Sequence, residues 1–182
     1  MGNLTKKVKK KKSRKTKAKI ASLVTISLAM GFLNTAAAFY LRQVYNAKTL
    51  LPPTGISRRD VIFNVGDITI LDKAVALKIL VDSDLLIAEE IRQVAIVALL
   101  VAFVYLLGKD MLDRVGLFIF IGGLSSLLYY VFLFAFTRWP SSLLSKDIIA
   151  VVPNPIIVPT YIPLVLSVVS VVGGALLVFK RK

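Results

Sequence analysis

Residues 20–41 read IASLVTISLAMGFLNTAAAFYL, a stretch of 22 residues without a charged side chain. An α-helix of this length rises about 33 Å, enough to cross the roughly 30 Å hydrocarbon core of a bilayer. Three more apolar stretches follow, at 94–107, 115–136 and 156–179. Because the backbone must satisfy its own hydrogen bonds in lipid, these stretches are predicted to be helical. The sequence therefore predicts an all-α membrane protein, a four-transmembrane-helix bundle with helices at 20–41, 88–107, 115–136 and 158–179.

The composition excludes several other classes of protein. Hydrophobic residues make up 57% of the 182 residues, while the formal net charge is +14. A water-soluble domain of this size cannot bury so much apolar surface, and a disordered chain has few apolar residues. The chain has no Cys and no His, which excludes disulfides, Cys/His zinc sites and imidazole acid–base chemistry. No cofactor, metal site or catalytic residue is predicted, and an enzyme is less favoured than a non-enzymatic protein.

The N-terminal segment is strongly basic. Residues 6–19 contain ten of the 24 Lys and Arg residues and no acidic one. Their mutual repulsion predicts that residues 1–19 form a disordered cytoplasmic arm, followed by the transmembrane domain at 20–182. Each cation near an anionic bilayer contributes on the order of 1 kcal/mol, whereas no aromatic residue is interleaved to stack on nucleic-acid bases. The arm is therefore predicted to bind anionic lipid headgroups, through Lys9, Lys10, Lys11, Lys12, Arg14 and Lys15.

The distribution of Lys and Arg also predicts the orientation. With the N-terminus inside, the cytoplasmic segments carry 15 of these residues and the two outer loops carry eight, so both termini are predicted to be cytoplasmic. A signal peptide is the alternative for the first helix, with residues 20–33 as its apolar core and Ala36-Ala37-Ala38 as a cleavage site. The long basic region, and an apolar run that continues to Leu41, favour a retained helix.

The predicted outer loop at 42–87 is long enough to have structure of its own. Val61-Ile62-Phe63 and Ile68-Thr69-Ile70-Leu71 flank Asn64-Val65-Gly66-Asp67, which predicts a short β-hairpin. A short amphipathic helix is predicted over 72–81, with Asp72 as its N-cap. The hairpin and helix are expected to form an extracytoplasmic cap that lies on the lipid surface or over the bundle.

Charged residues gather at the start of the second transmembrane helix. Glu89 lies three residues before Arg92 and shares its face of the helix, whereas Glu90 points elsewhere. Arg92 is about one turn inside the membrane interface, where a charge must reach outward or find a partner. An interfacial anchor with an exposed Glu89–Arg92 pair is the favoured interpretation. The alternative is a polar site that binds a carboxylate, a phosphate or a lipid headgroup.

The second outer loop is the most distinctive part of the sequence. Trp139 is predicted at headgroup depth, and Pro140 ends the third helix. Residues 148–152 are predicted to re-enter the membrane or to lie along its surface, and the prolines that follow keep the chain extended until the fourth helix. Asp147 is expected near the outer end, with Arg92, Arg138 and Lys146 as candidate partners. The candidate ligand-binding residues are thus Glu89, Glu90, Arg92, Trp139 and Asp147.

Small residues recur on three of the helices. The first helix carries Asn34, Thr35 and Ala36-Ala37-Ala38, the third carries Gly122-Gly123 and Ser125-Ser126, and the fourth carries Ser167, Ser170 and Gly173-Gly174. Small side chains let neighbouring helices approach closely, so these positions predict a compact bundle.

Several of these motifs together resemble an uncharacterised prokaryotic family of four-helix integral membrane proteins. The resemblance covers about two-thirds of the chain and implies a fold and a topology in a prokaryotic cytoplasmic membrane, but no activity. In the family an acidic residue stands in place of Asn34, and Trp-Asp in place of Ser125-Ser126; residues 52–79 look like an insertion. The matching residues are Tyr40-Leu41-Arg42, Glu90-x-Arg92, Gly123, Tyr129-Tyr130, Trp139-Pro140-x-Ser142-Leu143, Asp147 and Pro153-x-Pro155.

Two functional hypotheses follow. The first is a scaffold, accessory subunit or assembly factor that acts through helix packing, with lipids and other membrane subunits as partners. The second is a protein that binds or transports a lipid headgroup or small solute at a polar site at the outer mouth of the bundle. The position of two side chains discriminates between them: convergence of Arg92 and Asp147 in one pocket favours binding, whereas Arg92 facing lipid and Asp147 facing water removes the site.

Overall fold

The computed structural model describes residues 2–44, 56–79, 83–150 and 154–180. Its long helices are α1 (Gly2–Val44), α3 (Ser83–Leu107), α4 (Met111–Thr137) and α5 (Tyr161–Phe179), and a short helix α2 covers Lys73–Ile79. The strands are β1 (Val61–Val65), β2 (Ile68–Leu71), β3 (Lys146–Ala150) and β4 (Ile156–Pro159), with a 3-10 turn at Arg58–Asp60 before β1.

Within the described residues, four helices are long and apolar enough to cross a membrane. Their candidate spans are Lys17–Val44, Asp84–Leu107, Met111–Thr137 and Tyr161–Phe179. The four predicted helices are confirmed, and each boundary lies within five residues of its prediction. The all-α class is too narrow, because the structure also contains a four-stranded sheet of which only the first hairpin was predicted. Consecutive spans alternate in direction, so that Leu23 of α1 and Val178 of α5 belong to one buried cluster. We call the end of the bundle next to the strands the sheet end, and the opposite end the arm end.

The helix of α1 continues back through the basic segment to Gly2, which differs from the disordered arm expected from charge repulsion. Lys and Arg are good helix formers, and extending an existing helix avoids the unfavourable step of nucleation. Lys19 ends this segment and pairs with Asp113 of α4 at 3.1 Å. The side chains predicted to contact lipid, Lys9 to Lys12, Arg14 and Lys15, lie outside the described part of the structure.

Helix α4 is the centre of the bundle and packs against α1, α3 and α5. Its contacts with α1 and α5 depend on glycine. A Cβ atom added to Gly174 of α5 would lie 2.6 Å from the backbone nitrogen of Phe120, and one added to Gly123 would lie 2.7 Å from the Cβ of Ser170. Gly31 of α1 approaches α4 equally closely, since its Cβ would lie 2.8 Å from the carbonyl oxygen of Ser125. Glycine at these positions lets the backbones approach to contact, as the small residues predict.

The strands form a single antiparallel sheet in the order β1-β2-β4-β3. The predicted hairpin is present as β1 and β2, and Gly66 in its turn has a φ of 56°, a conformation that glycine adopts without strain. Residues 146–150 form β3, a strand that the sequence did not indicate, and the expected position of 148–152 at the membrane stays a prediction. This strand pairs with β4, which in turn pairs with β2 through Thr69 and Ile157. Both loops at this end are thus joined in one sheet.

The sheet is fixed to the helices by an apolar cluster. Leu71 of β2, Val75 of α2, Leu86 of α3 and Ile157 of β4 are all buried in it. The predicted N-cap of α2 is present, since the Asp72 carboxylate accepts a hydrogen bond from the backbone of Ala74 at 2.8 Å. The cap is therefore packed directly on the sheet end of the bundle.

Candidate binding site

A cavity of about 550 Å³ lies between the helices at the sheet end. Its walls come from α1, α3, α4 and α5, and β3 adds lining residues at the end nearest the sheet. Gly122 lines the cavity 15 residues before the end of α4, so the cavity reaches about 22 Å into the bundle. The polar residues that line it are Asn34, Glu89, Arg92, Gln93, Ser125, Ser126, Tyr129, Tyr130, Asp147, Ser167 and Ser170.

The first charged group in the cavity is a bidentate pair on α3. Arg92 donates from Nε to Glu89 Oε2 at 2.7 Å and from Nη2 to the other carboxylate oxygen. Its remaining nitrogen, Nη1, donates to Asn34 Oδ1 of α1 at 2.7 Å. Gln93 adds a third hydrogen bond to Glu89, from Nε2 to Oε1 at 2.8 Å. The predicted Glu89–Arg92 pair is therefore present, but Glu89 is only 8% exposed rather than at the surface.

The second charged group joins α1, α4 and β3. Asp147 is buried and accepts a hydrogen bond from the Tyr130 hydroxyl at 3.2 Å and one from the backbone of Ile148 at 2.9 Å. Arg42, also buried, places Nη2 3.7 Å from Asp147 Oδ1 and its guanidinium 4.3 Å from the centre of the Trp139 ring. Nε and Nη1 of Arg42 are buried without a hydrogen-bond partner among the described residues. A buried ion pair of this kind is costly to break from either side.

Three of the five candidate residues line the same cavity. Glu89, Arg92 and Asp147 converge there, in the arrangement that favours the binding hypothesis. Glu90 points away and lies 3.9 Å from Lys73 at the surface. Trp139 is buried in a separate cluster with Tyr130 and contributes to the site only by supporting Arg42.

The sequence interpretation missed Arg42. It ends the first apolar stretch, where a cation is usually a surface anchor, and none of the partners predicted for Asp147 was in that helix. Arg92 instead pairs with Glu89, and Arg138 lies over the ring of Phe134 at 5.9 Å. The only sequence signal for Arg42 was its place in the Tyr40-Leu41-Arg42 part of the family resemblance.

The cavity has an open side between α3 and α5. These two helices make little direct contact with each other, although each packs on α4. A Cβ atom added to Gly122 of α4, which lines the cavity, would meet nothing within 4 Å. Val97 of α3 and Leu166 of α5 line the cavity and are 54% and 59% exposed. The polar interior is therefore continuous with an apolar side opening.

Burial of Asp147 makes the stability of the folded protein depend on pH. Burial raises the pKa of this carboxyl from 3.8 to about 6, against the opposing effects of Arg42, the Tyr130 hydroxyl and the Ile148 amide. Between about pH 4 and pH 6 the folded protein holds a proton that the unfolded chain has released. The stabilisation from this group is therefore complete in acid and is lost as the pH rises to about 6.

We expect Asp147→Asn to remove this part of the pH dependence of stability. The slope of unfolding free energy against pH should differ between the variant and the wild type by up to about 1.4 kcal/mol per pH unit between pH 4 and 6, and not above pH 7. Unfolding in detergent followed at a series of pH values measures this. Parallel pH profiles for the two proteins would show that Asp147 has an ordinary pKa.

Comparison with known protein families, curated proteins and solved structures gives no significant match. The resemblance to a prokaryotic four-helix family therefore stays a prediction.

Proposed function

We propose that this is an integral membrane protein that binds the polar headgroup of a lipid, or a small polar solute, in the cavity at its sheet end. The observation that supports this most is the convergence of Glu89, Arg92 and Asp147 on one cavity. Ionisable groups inside a bundle are unfavourable, and where they occur they commonly mark a substrate or ligand site. Cavities of roughly 300–1,000 Å³ with a few polar groups among apolar walls are typical of small-molecule sites.

The scaffold hypothesis explains less of this arrangement. Helix packing alone needs apolar and small residues, which α4 and α5 supply through Gly123 and Gly174. It does not need two carboxylates and an arginine at the wall of a cavity. A role as a scaffold or accessory subunit stays a prediction, and would be favoured by a protein partner that co-purifies while the cavity holds nothing.

The proposed orientation places the sheet end outside the cytoplasm. Lys and Arg are concentrated in the N-terminal segment and at Lys180, Arg181 and Lys182, and such residues favour the cytoplasmic side. The basic part of α1 would then contact anionic headgroups at the inner surface, while the cavity lies in the outer half of the bilayer. A prokaryotic cytoplasmic membrane is the proposed location.

Two neighbouring glutamates provide the test of binding. We expect the wild-type protein, purified in mild detergent, to carry a bound non-protein molecule that native mass spectrometry detects. Glu89→Gln should lower the retained fraction about tenfold, equivalent to about 1.4 kcal/mol, because Arg92 loses its bidentate partner and the hydrogen-bond network of the cavity changes. Glu90→Gln is the matched control and should retain the molecule, because Glu90 lies outside the cavity.

Thermal unfolding of both variants checks that a loss of the molecule is not a loss of fold. Equal retention by folded Glu89→Gln and Glu90→Gln proteins would mean that the molecule is bound elsewhere. A wild-type protein without any bound molecule would contradict the proposed function.

A further inference from the structure

We infer that the ligand is a membrane lipid with a zwitterionic headgroup, which reaches the cavity from the bilayer through the opening between α3 and α5. This inference rests on the proposed function and adds the chemical class of the ligand and its route. It follows from two features of the cavity, the pairing of its charges and the position of its opening.

Each charge at the cavity already has an opposite charge beside it. Glu89 pairs with Arg92, and Asp147 with Arg42. All the guanidinium nitrogens of Arg92 face a partner, Nε and Nη2 on Glu89 and Nη1 on Asn34. Arg92 is also the only cation that lines the cavity within the described residues. A ligand with a net negative charge would therefore have to compete with Glu89 for Arg92 and would leave one of them without a partner at low dielectric constant.

A zwitterion avoids this penalty. Its phosphate can form an ion pair with Arg92 while its ammonium group forms one with Glu89. The Glu89–Arg92 pair is then replaced by two ion pairs with the ligand, and the net charge of the cavity stays at zero. The cavity also has neutral hydroxyl groups that can form hydrogen bonds with the rest of a headgroup. The hydroxyls of Ser126, Tyr129 and Ser170 line the cavity and make no hydrogen bond within the described part of the chain.

The position of the opening favours a lipid over a dissolved solute. At the sheet end, Asp147, Ile148 and Ile149 of β3 line the cavity. The side between α3 and α5 is open, and its edges are the exposed apolar residues Val97 and Leu166. A headgroup inside the cavity would leave its acyl chains against these two side chains, in the hydrocarbon region of the bilayer.

Substitutions at two glycines distinguish a blocked opening from a destabilised fold. A side chain at Gly122 would project into open space that belongs to the cavity, whereas a side chain at Gly173 of α5 would project into open space outside it. Gly122→Phe is therefore expected to block the opening without a clash, and Gly173→Phe is its matched control.

The experiment uses the full chain in nanodiscs made from equal amounts of phosphatidylethanolamine and phosphatidylglycerol. After transfer to mild detergent, native mass spectrometry counts the lipids that remain bound. We expect wild type and Gly173→Phe to retain one zwitterionic lipid at least about tenfold more often than the anionic one. Gly122→Phe should lose this lipid while it unfolds at the same temperature as Gly173→Phe.

The outcomes separate this inference from the proposed function. Preferential retention of phosphatidylglycerol, sensitive to Gly122→Phe, would overturn the zwitterionic class but keep the binding function. A water-soluble molecule that stays bound in place of lipid, and that Gly122→Phe does not displace, would overturn the lateral route. Absence of any bound molecule would overturn both.

Discussion

Arg42→Leu should be clearly destabilising, lowering the free energy of unfolding by about 2–3 kcal/mol at neutral pH. The substitution leaves the Asp147 carboxylate buried with only the Tyr130 hydroxyl and one backbone amide as partners. Because burial already raises the pKa of Asp147 to about 6, this carboxyl can take up a proton once Arg42 is removed, which limits the electrostatic part of the loss to about 1.4 kcal/mol at pH 7. The stacking of the guanidinium on Trp139 is lost as well. Equilibrium unfolding in mixed micelles measures the change.

Two further variants isolate the charge effect. Arg138→Leu is the control, because Arg138 is exposed and should change stability by less than about 0.5 kcal/mol. The double variant Arg42→Leu, Asp147→Leu removes both charges and should recover most of the loss. If the double variant is as unstable as the sum of the two single variants, Arg42 and Asp147 do not stabilise each other.

Gly174→Leu is expected to have a comparable effect through packing. The nearest atoms to an added Cβ are backbone atoms, Phe120 N at 2.6 Å and Gly116 O at 2.7 Å. Overpacking typically costs about 1–3 kcal/mol, and here α4 and α5 must separate because no side chain can rotate away. We therefore expect a loss of about 3 kcal/mol, measured as a lower midpoint of thermal unfolding.

The adjacent residue serves as the control. Gly173→Leu places the same side chain one position along the same helix, where nothing lies within 4 Å of the added Cβ. It should leave the midpoint nearly unchanged. Equal midpoints for Gly174→Leu and Gly173→Leu would mean that α4 and α5 are not in backbone contact.

The helices and local structure could be predicted from the sequence because their signals are local. Uncharged stretches of 22 residues or more at 20–41, 115–136 and 156–179 determine helices by length and hydropathy alone. The hairpin and the Asp72 cap follow from residues that are neighbours in the chain. The pairing of Glu89 with Arg92 follows from their spacing on one helix turn.

The completed sheet could not be predicted because the pairing that joins its two hairpins is long-range. Strand β2 pairs with β4, which brings Thr69 beside Ile157, and no local pattern indicates such a partner. Residues 148–152 are apolar, and a short apolar run fits a strand, an interfacial segment or a buried turn equally well. β3 pairs with β4 of the same loop, and β4 in turn pairs with β2 of the other loop.

The candidate site was predicted only in part, because some of its contacts are local in the sequence and others join separate helices. Glu89 and Arg92 are on one helix, and their shared face is visible in the sequence. The contacts of Arg92 with Asn34, and of Asp147 with Arg42, join separate helices and depend on how the bundle packs. The burial of Glu89 and the cavity itself depend on this packing too.

The position of a bound headgroup tests the central claim most directly. A zwitterionic lipid with a photoreactive group on its headgroup can be cross-linked to the wild-type protein in membranes, and the modified residues identified by peptide mass spectrometry. We expect adducts concentrated on the cavity, at residues such as Gln93 and Ser126. Adducts confined to outward-facing residues such as Leu106 and Val169, with the cavity unmodified, would contradict it.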